Sequence, residues 1–255
     1  MKRVINTTHR RGRAMFRLTR QFLFLLVMSA CANIAYAQAV GTVTHLSGVL
    51  TVKHADGSVA VLAVKSSILQ GDTLVTEANT YTRVKFVDDG EMVVRPSSQV
   101  VVKSYVYDAD HPEKDSVAIR LVNGGLRSVT GLIGKRNHDA VSFDTPTGTI
   151  AVRGTNFGAL FCQNDCGGVP TPSGSTPPNG LHVDVSQGAI VLVNPAGQQV
   201  FQAGQFGFVA NLNTLPIVVP PTQGVPVTMP QSISKNAPTN QGSGATSGTV
   251  DCVVQ

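Results

Sequence analysis

Short runs of β-branched and aromatic residues, each followed by a turn signal, dominate the sequence between Gly41 and Ala210. Such runs are typical of β-strands, because these side chains pack well on a pleated surface. They occupy residues 49–52, 59–64, 82–87, 92–95, 100–107, 117–122, 141–143, 149–152, 182–185, 190–193 and 200–201. Turn signals separate them at 56–57, 89–90, 123–124, 146–148 and 196–197. No window outside the first 37 residues has a helical period, so the sequence predicts an all-β protein.

Several runs alternate apolar and polar residues, as a half-buried strand requires. Val84 and Phe86 are expected to face the core, with Arg83 and Lys85 facing out. In residues 182–185, His182 and Asp184 alternate in the same way with the two valines. A repeat of glycine spacing, at Gly48 and Gly57 and again at Gly188 and Gly197, suggests repeated hairpins, although chance among 25 glycines explains it equally well. We therefore expect one β domain over residues 38–210, built as a sandwich or as a short β-solenoid-like arrangement of hairpins.

Residues 1–37 have the features of a secretory signal peptide. A basic start leads into an apolar run at 22–30 and a small-residue exit at 35–37, so cleavage is expected after Ala37. The run is shorter than the roughly 20 residues that span a bilayer. Met28-Ser29-Ala30-Cys31 is an alternative exit that resembles a lipobox, and its use would make Cys31 a lipid anchor.

Export changes the meaning of the net charge. The chain has 20 Lys and Arg residues against 15 Asp and Glu, but seven of the cations and none of the acids lie in residues 1–37. The exported chain therefore has 13 cations and 15 acids, a net charge of −2. The charge gives no support for binding to nucleic acid.

Three cysteines follow the predicted cleavage point. Cys162 and Cys166 are expected to form a local disulfide in an oxidising compartment, while Cys252 is free or links to another chain. A metal site at Cys162, Cys166, His182 and a carboxylate is the alternative, but the spacing fits no standard zinc pattern. No metal or other cofactor is predicted.

Two segments differ in composition from the β runs. Residues 167–180 contain repeated Pro, Ser, Thr and Gly and are expected to form a loop insertion. Residues 211–255 are rich in Pro, Thr, Ser, Gly and Asn and carry only Lys235 and Asp251 as charges. This composition predicts a disordered tail that starts after residue 210.

Five motifs in the β region resemble, in order, those of the FecR family of cell-envelope sensors. They are Gly-Asp-Thr-Leu-Val-Thr at 71–76, Val-Lys-Phe-Val-Asp-Asp-Gly-Glu at 84–91, Arg-Pro-Ser-Ser at 95–98, Ile-Arg-Leu-Val-Asn-Gly-Gly-Leu at 119–126, and Thr-Pro at 145–146 with Val-Arg-Gly-Thr at 152–155. The resemblance covers roughly residues 41 to 161. It implies a periplasmic domain that relays the occupancy of an envelope receptor. The best-known members add a cytoplasmic anti-sigma region and a transmembrane helix, which we expect this chain to lack.

Two sets of charged residues are candidate sites. Arg127, Lys135 and Arg136 flank glycines and form a candidate patch for a small anionic ligand, the alternative being ordinary surface cations. Arg153 follows an apolar run, which suggests burial and an ion pair with Asp144 or with Asp72.

Catalytic patterns are absent from the sequence. A hairpin turn explains the acidic stretch 88–91, and the five histidines after residue 37 are scattered without ligand spacing. There is no nucleophile elbow and no phosphate-binding glycine loop. We therefore expect a protein that is not an enzyme.

The sequence supports two functional hypotheses. The first is an exported FecR-type sensor or binding module in the periplasm, which recognises an envelope protein or a small anionic ligand. The second is a structural envelope protein or lipoprotein, in contact with the membrane only if Cys31 is lipidated.

Overall fold

β-strands make up nearly all the regular structure of residues 38–230 and Ile233, the residues that this computed structural model describes. The strands of this part of the chain are β1 (Ala39–Ser47), β2 (Leu50–Lys53), β3 (Val59–Leu62), β4 (Ser67–Leu69), β5 (Thr73–Thr76), β6 (Tyr81–Phe86), β7 (Glu91–Val94), β8 (Gln99–Val106), β9 (Ser116–Val129), β10 (Val141–Thr145), β11 (Gly148–Cys162), β12 (Gly180–Asn194), β13 (Gly197–Gln202), β14 (Phe206–Val209) and β15 (Ile217–Val219). A 3-10 helix (Pro112–Lys114) and a short helix α1 (Leu132–Arg136) complete it. The all-β prediction is confirmed. The predicted signal peptide and Cys31 lie outside the described residues.

Three long strands organise a single branched sheet. The first halves of β9 and β11 pair with β10, and their second halves pair with each other. From β9, one arm runs through β7, β6 and β1 to β4, and the other runs through β8, β5 and β2 to β3. On the other side, β12 pairs with β11 along nearly its whole length and with β13 and β14 at its two ends. Each ladder is antiparallel except the one between β9 and β10, which is parallel.

The two arms enclose one main apolar core. It takes side chains from both, such as Leu50 and Leu74 from one arm and Val84 and Met92 from the other. Burial of each such side chain contributes about 1.5–3 kcal/mol. The alternation along β11 decides which residues join the core, because Phe157, Ala159 and Phe161 point into it. The intervening residues point to the opposite side of the sheet, which we call the outer face.

The outer face carries a second, smaller apolar cluster. It contains Leu160, Cys162 and Cys166 from β11 and the loop that follows it, and Val225 and Val227 from the chain after β15. The prediction of a disordered tail from residue 211 is therefore wrong for residues 211–230. Ile217–Val219 form an edge strand, and Val225 and Val227 are only 2% and 0% exposed. Residues 231–255, except Ile233, lie outside the described residues.

Arg83 is an exception to the predicted alternation. Its neighbours Val84 and Phe86 face the core as expected, but Arg83 is also buried, with 5% of its surface exposed. Its Nε atom lies 3.9 Å from Glu91 Oε2 and has no hydrogen-bond partner among residues 38–230 and Ile233. The alternation predicts which face a side chain takes, but it does not show whether that face is covered.

Helix α1 has no counterpart in the sequence prediction. It has only five residues, so it is too short to show a helical period, and a side chain distant in sequence holds it in place. The Asp88 carboxylate accepts a hydrogen bond from the backbone N–H of Ile133 at 3.2 Å, and the Asp88 carbonyl accepts one from Leu132 at 2.8 Å. Gly131 has to be a glycine here, because a Cβ atom at this position would collide with the Asp88 carboxylate.

Candidate functional site

Arg127 on β9 lies at the centre of the outer face. It is opposite Gly158 on β11, and Gly158 is opposite Asp184 on β12, so the three residues form one row across three strands. Because Gly158 has no side chain, Arg127 and Asp184 reach across it and form an ion pair. Their side chains are 14% and 11% exposed, so this pair is largely removed from solvent.

Two further side chains fix the guanidinium of Arg127. Its Nη1 atom donates to Asn156 Oδ1 and to Ser186 Oγ, each at 2.8 Å. An anionic ligand at Arg127 would therefore have to displace the Asp184 carboxylate. The predicted ligand-binding role of Arg127 loses support, because its charge is already neutralised within the fold.

Residues 224–229, which we call the C-terminal strap, lie across this row. Arg127 Nε donates to the Val227 carbonyl at 3.1 Å, and the Val227 N–H donates to Asp184 Oδ1 at 3.2 Å. Arg95 Nη1 donates to the Thr228 carbonyl at 2.7 Å. The strap is thus held through its backbone by charged side chains of the sheet, and not by a strand ladder.

The side chains of the strap fill space that glycine leaves open. A Cβ atom on Gly158 would lie 2.5 Å from Val227 Cβ, so the glycine makes room for this valine. Gly224 packs directly on the ring of Phe206, where it too has no room for a Cβ atom. The side chains of Val225 and Val227 pack with Leu160 in the small outer cluster.

The predicted disulfide between Cys162 and Cys166 is confirmed, with the Cα atoms 5.5 Å apart. The alternative metal site is wrong, because both cysteines are used in this bond. His182 is also engaged, since its Nε2 atom lies 2.8 Å from the Pro178 carbonyl and its ring packs on Phe208 at 4.9 Å. Burial lowers the pKa of His182 from its ordinary value of 6.5.

The other two residues of the predicted cationic patch lie on α1. Arg136 is paired with Asp115, through Nε at 2.7 Å and Nη2 at 2.8 Å, and it stacks on the Tyr107 ring at 4.8 Å. The hydrogen bond from Arg136 holds the pKa of Asp115 below its ordinary value. Lys135 is exposed. An anionic ligand at Arg136 would also have to compete with a carboxylate.

The predicted ion pair between Arg153 and Asp144 is not formed. Arg153 is exposed and has no salt-bridge partner among residues 38–230 and Ile233, while Asp144 binds Lys103 at 2.9 Å and lies 3.9 Å from Arg120. The register explains this, because Asp144 is opposite Thr149 on β11 and Arg153 lies four residues further along that strand. Four residues of a strand span about 13 Å, which is beyond the reach of an ion pair. The alternative partner, Asp72, is buried and bonded to His54 at 2.7 Å.

The acidic stretch 88–91 has a structural role. Asp88 is 1% exposed and accepts hydrogen bonds from the Tyr105 hydroxyl at 2.5 Å and from Gly90 N–H at 3.0 Å, besides its contact with α1. Burial, with the Asp88 charge as a second cause, raises the pKa of Tyr105. Asp89 is exposed and pairs with Lys85 at 2.8 Å.

An open groove of about 630 Å³ lies at the Thr145-Pro146 turn, away from the strap. Its lining includes Arg120, Asp144, Val193 and Leu212. Val193 and Leu212 are 42% and 46% exposed, so the groove is a shallow surface feature with apolar walls. Its charged groups, Arg120 and Asp144, lie close to each other.

The sequence prediction did not single out the residues that hold the strap, apart from Arg127. The alternation along β12 correctly predicts that Asp184 points to the face away from the core residues Val183 and Val185. This position is the feature of the sequence from which the role of Asp184 could have been inferred. A carboxylate that alternates with core residues on a central strand needs a partner on the other face. Gly158, Arg95 and Asn156 gave no signal of their own.

The helices formed by residues 38–230 and Ile233 are all too short to span a lipid bilayer. Within the same residues, no group of three or more His, Cys, Asp or Glu side chains is placed to hold a metal ion.

Comparison with known proteins gives one family match. Residues 72–191 match the model of the family described as "FecR protein". No curated protein matches the chain. These matched residues include Arg95, Arg127, Gly158 and Asp184 but not the strap.

Solved structures show weaker likeness. A structure described as "Cell surface anchoring domain" is 31% identical, with a TM-score of 0.24, over 24% of this chain and 82% of that one. Two crystal structures of a "putative anti-sigma factor" from Parabacteroides distasonis ATCC 8503 are 12% identical, with a TM-score of 0.42. In both, the alignment spans 58% of this chain and 58% of the other.

Proposed function

We propose that the chain is an exported, non-catalytic sensor or binding module that recognises a protein partner in the cell envelope, because residues 72–191 match the model of the FecR family. The family match is the observation that carries this proposal. The basic and apolar N-terminal sequence supports export to the periplasm.

The chemistry of the outer face supports binding of protein over binding of a small anion. Arg127 and Arg136, the two guanidinium groups of the predicted anion site, are already paired with Asp184 and Asp115. An anion would gain little there, because it would only replace one carboxylate with another. By contrast, the three hydrogen bonds to the strap show that the charged groups of this face can bind the backbone of an extended chain.

The proposal is tested by capture in intact cells. Affinity-tagged full-length chain is expressed in its own host, crosslinked before lysis and purified from the envelope fraction. The control is Leu126→Asp, which puts a carboxylate at a fully buried position of the main core and unfolds the domain. One envelope protein enriched with the native chain and absent with the control is expected. Equal recovery with both chains would contradict the proposal.

A structural lipoprotein is the second candidate, and the sequence Met28-Ser29-Ala30-Cys31 favours it. The mass of the mature N-terminus distinguishes the two. A chain that starts at Gln38 supports soluble export, and a chain that starts at an acylated Cys31 supports a membrane anchor.

A further inference from the structure

The outer groove is the part of the outer face that the C-terminal strap covers, formed by Arg95, Arg127, Gly158, Leu160, Asp184 and Phe206. It is a built site. Arg127 and Asp184 are nearly buried, and together they bind both backbone groups of one residue, Val227. Two charges that bind the carbonyl and the N–H of the same residue recognise an extended chain by its backbone, whatever its sequence.

The side-chain requirements of the groove are specific. Gly158 opens a slot that an aliphatic side chain fills, and Leu160 adds a second apolar contact next to the disulfide. At the other end, Phe206 accepts only a residue without a Cβ atom. A segment that fits this groove is therefore uncharged and extended, with a glycine followed by aliphatic residues at alternate positions, as in Gly224, Val225 and Val227.

Most of the groove lies within the FecR family match, whereas the strap that occupies it lies outside. The groove residues from Arg95 to Asp184 lie within the FecR family match, which ends at residue 191. The strap begins at residue 224, which is 33 residues beyond that end. The strap makes no strand ladder, and its apolar cluster is separate from the main core. Removal of the strap thus leaves the main core and the strands of the domain in place.

The strap is also suited to exchange. Pro220, Pro221, Pro226 and Pro230 surround or interrupt it, and proline restricts the chain to extended conformations. Such a segment loses little conformational entropy when it binds. A tethered segment has an effective concentration in the millimolar range, so a competing segment must bind the groove tightly or be present at a high local concentration.

From these observations we propose that the outer groove is a peptide-recognition site, which the strap occupies in the free chain and which an extended aliphatic segment of a partner protein enters by displacing the strap. The identity of the partner as an envelope protein rests on the proposed function above. The groove itself does not depend on it.

The test uses the full-length chain with the strap dislodged. Val227→Asp puts a carboxylate beside Asp184 in a position that is 0% exposed, so the strap leaves the groove. Thr228→Asp is the matched control, because this side chain is exposed and only its carbonyl is bound. The probe is a fluorescent synthetic peptide that copies residues 222–230.

The probe is expected to bind the Val227→Asp chain at least tenfold more tightly than it binds the native chain or Thr228→Asp. A probe that itself carries Val227→Asp is expected not to bind. Far-UV circular dichroism and a cooperative melt establish that the variant is folded. A folded Val227→Asp chain that does not bind the native probe would overturn the proposal.

A second version avoids any substitution in the groove or strap, in case the first variant does not fold. A protease site replaces residues 220–223 and is cut after folding, so that the strap becomes a separate peptide in its groove. Incorporation of excess labelled probe into the nicked protein supports the proposal. No incorporation means that the strap is a permanent part of the fold. The proposal is also overturned if the native chain is a dimer and Val227→Asp is a monomer. In that case a second copy of the chain occupies the groove.

These outcomes are separable from those of the capture experiment. If the probe binds but no envelope protein is captured, the groove is supported as a peptide-recognition site and the proposed function is refuted. If neither Val227→Asp nor excess probe changes the amount of envelope protein captured, the proposed function is supported but the partner binds another surface.

Discussion

Arg127 and Asp184 form an ion pair across Gly158, and the same two side chains bind the carbonyl and the N–H of Val227. The pair therefore has two roles, because it joins β9 to β12 across β11 and holds the C-terminal strap. Breaking a largely buried pair leaves one charge without a partner, which costs more than the loss of an exposed pair.

Asp184→Asn is expected to lower the free energy of unfolding by about 2–4 kcal/mol, since it leaves the Arg127 charge unpaired in a nearly buried site. Urea denaturation measures this loss. Lys85→Gln is the control, because it breaks an ion pair with Asp89 in which the side chains are 48% and 70% exposed. We expect no measurable change for the control. Equal stability of Asp184→Asn and the native chain would show that the pair does not stabilise the fold.

Gly158→Ala is expected to push the strap out of the groove, because the new Cβ atom would collide with Asp184 Oδ1, which binds the strap, and with Val227 Cβ. Overpacking of this kind costs about 1–3 kcal/mol. Limited proteolysis is the measurement, with faster cleavage within residues 220–230 expected in the variant. Gly168→Ala is the matched control, since nothing lies within 4 Å of a Cβ atom there. Cleavage of both variants at the native rate would mean that Gly158 does not limit the fit of the strap.

Loss of the disulfide is expected to loosen the wall of the groove. Cys162 and Cys166 are four residues apart, and the entropy of closing so short a loop predicts a loss of about 2 kcal/mol when both are changed to Ala. Because both residues pack with Val225 and Val227, the strap should also be cut faster by protease. The melting temperature of the double variant checks the first effect. A melting temperature equal to that of the native chain would contradict it.

His182 is expected to make the fold less stable in mild acid. Its pKa in the folded chain lies below 6.5, so the unfolded chain binds a proton first as the pH falls. The contribution of this group is complete above about pH 6.5 and is lost as the pH drops from there through the lower folded-state pKa. His182→Gln has no such titration and can still donate to the Pro178 carbonyl. Its unfolding free energy should fall less between pH 7 and pH 5, and a fall equal to that of the native chain would exclude His182 as the cause.

The strands could be predicted from the sequence because their signal is local. Each of the runs 82–87, 117–122 and 182–185 contains its own alternation or β-branched residues, and each lies in or overlaps an observed strand. The local disulfide between Cys162 and Cys166 was predictable for the same reason. It joins residues only four positions apart.

Features that depend on distant partners could not be predicted in this way. The order of the strap depends on Arg127, which is 100 residues from Val227 in the sequence, and on Asp184, which is 43 residues away. Disorder was expected from the composition of residues 211–255 as a whole, which are rich in Pro, Thr, Ser, Gly and Asn. Helix α1 likewise depends on Asp88, 45 residues before Ile133.

Ion pairs needed the strand register, which the sequence did not provide. Asp144, nine positions before Arg153, is a predicted partner only because a buried arginine needs an ion pair. The register of β10 and β11 instead puts Thr149 opposite Asp144, and Lys103 of β8 supplies the cation. A shift of this size along a strand is enough to separate two charges completely.

Hydrogen exchange at the backbone N–H of Val227 tests most directly the claim that the outer face holds an extended chain by its backbone. This N–H is buried and donates to Asp184. In the native full-length chain it should exchange at least about a hundredfold more slowly than in an unstructured peptide, and the protection should disappear in Asp184→Ala, which removes the acceptor. Exchange of the Val227 N–H at the unstructured rate in the native chain would contradict the account.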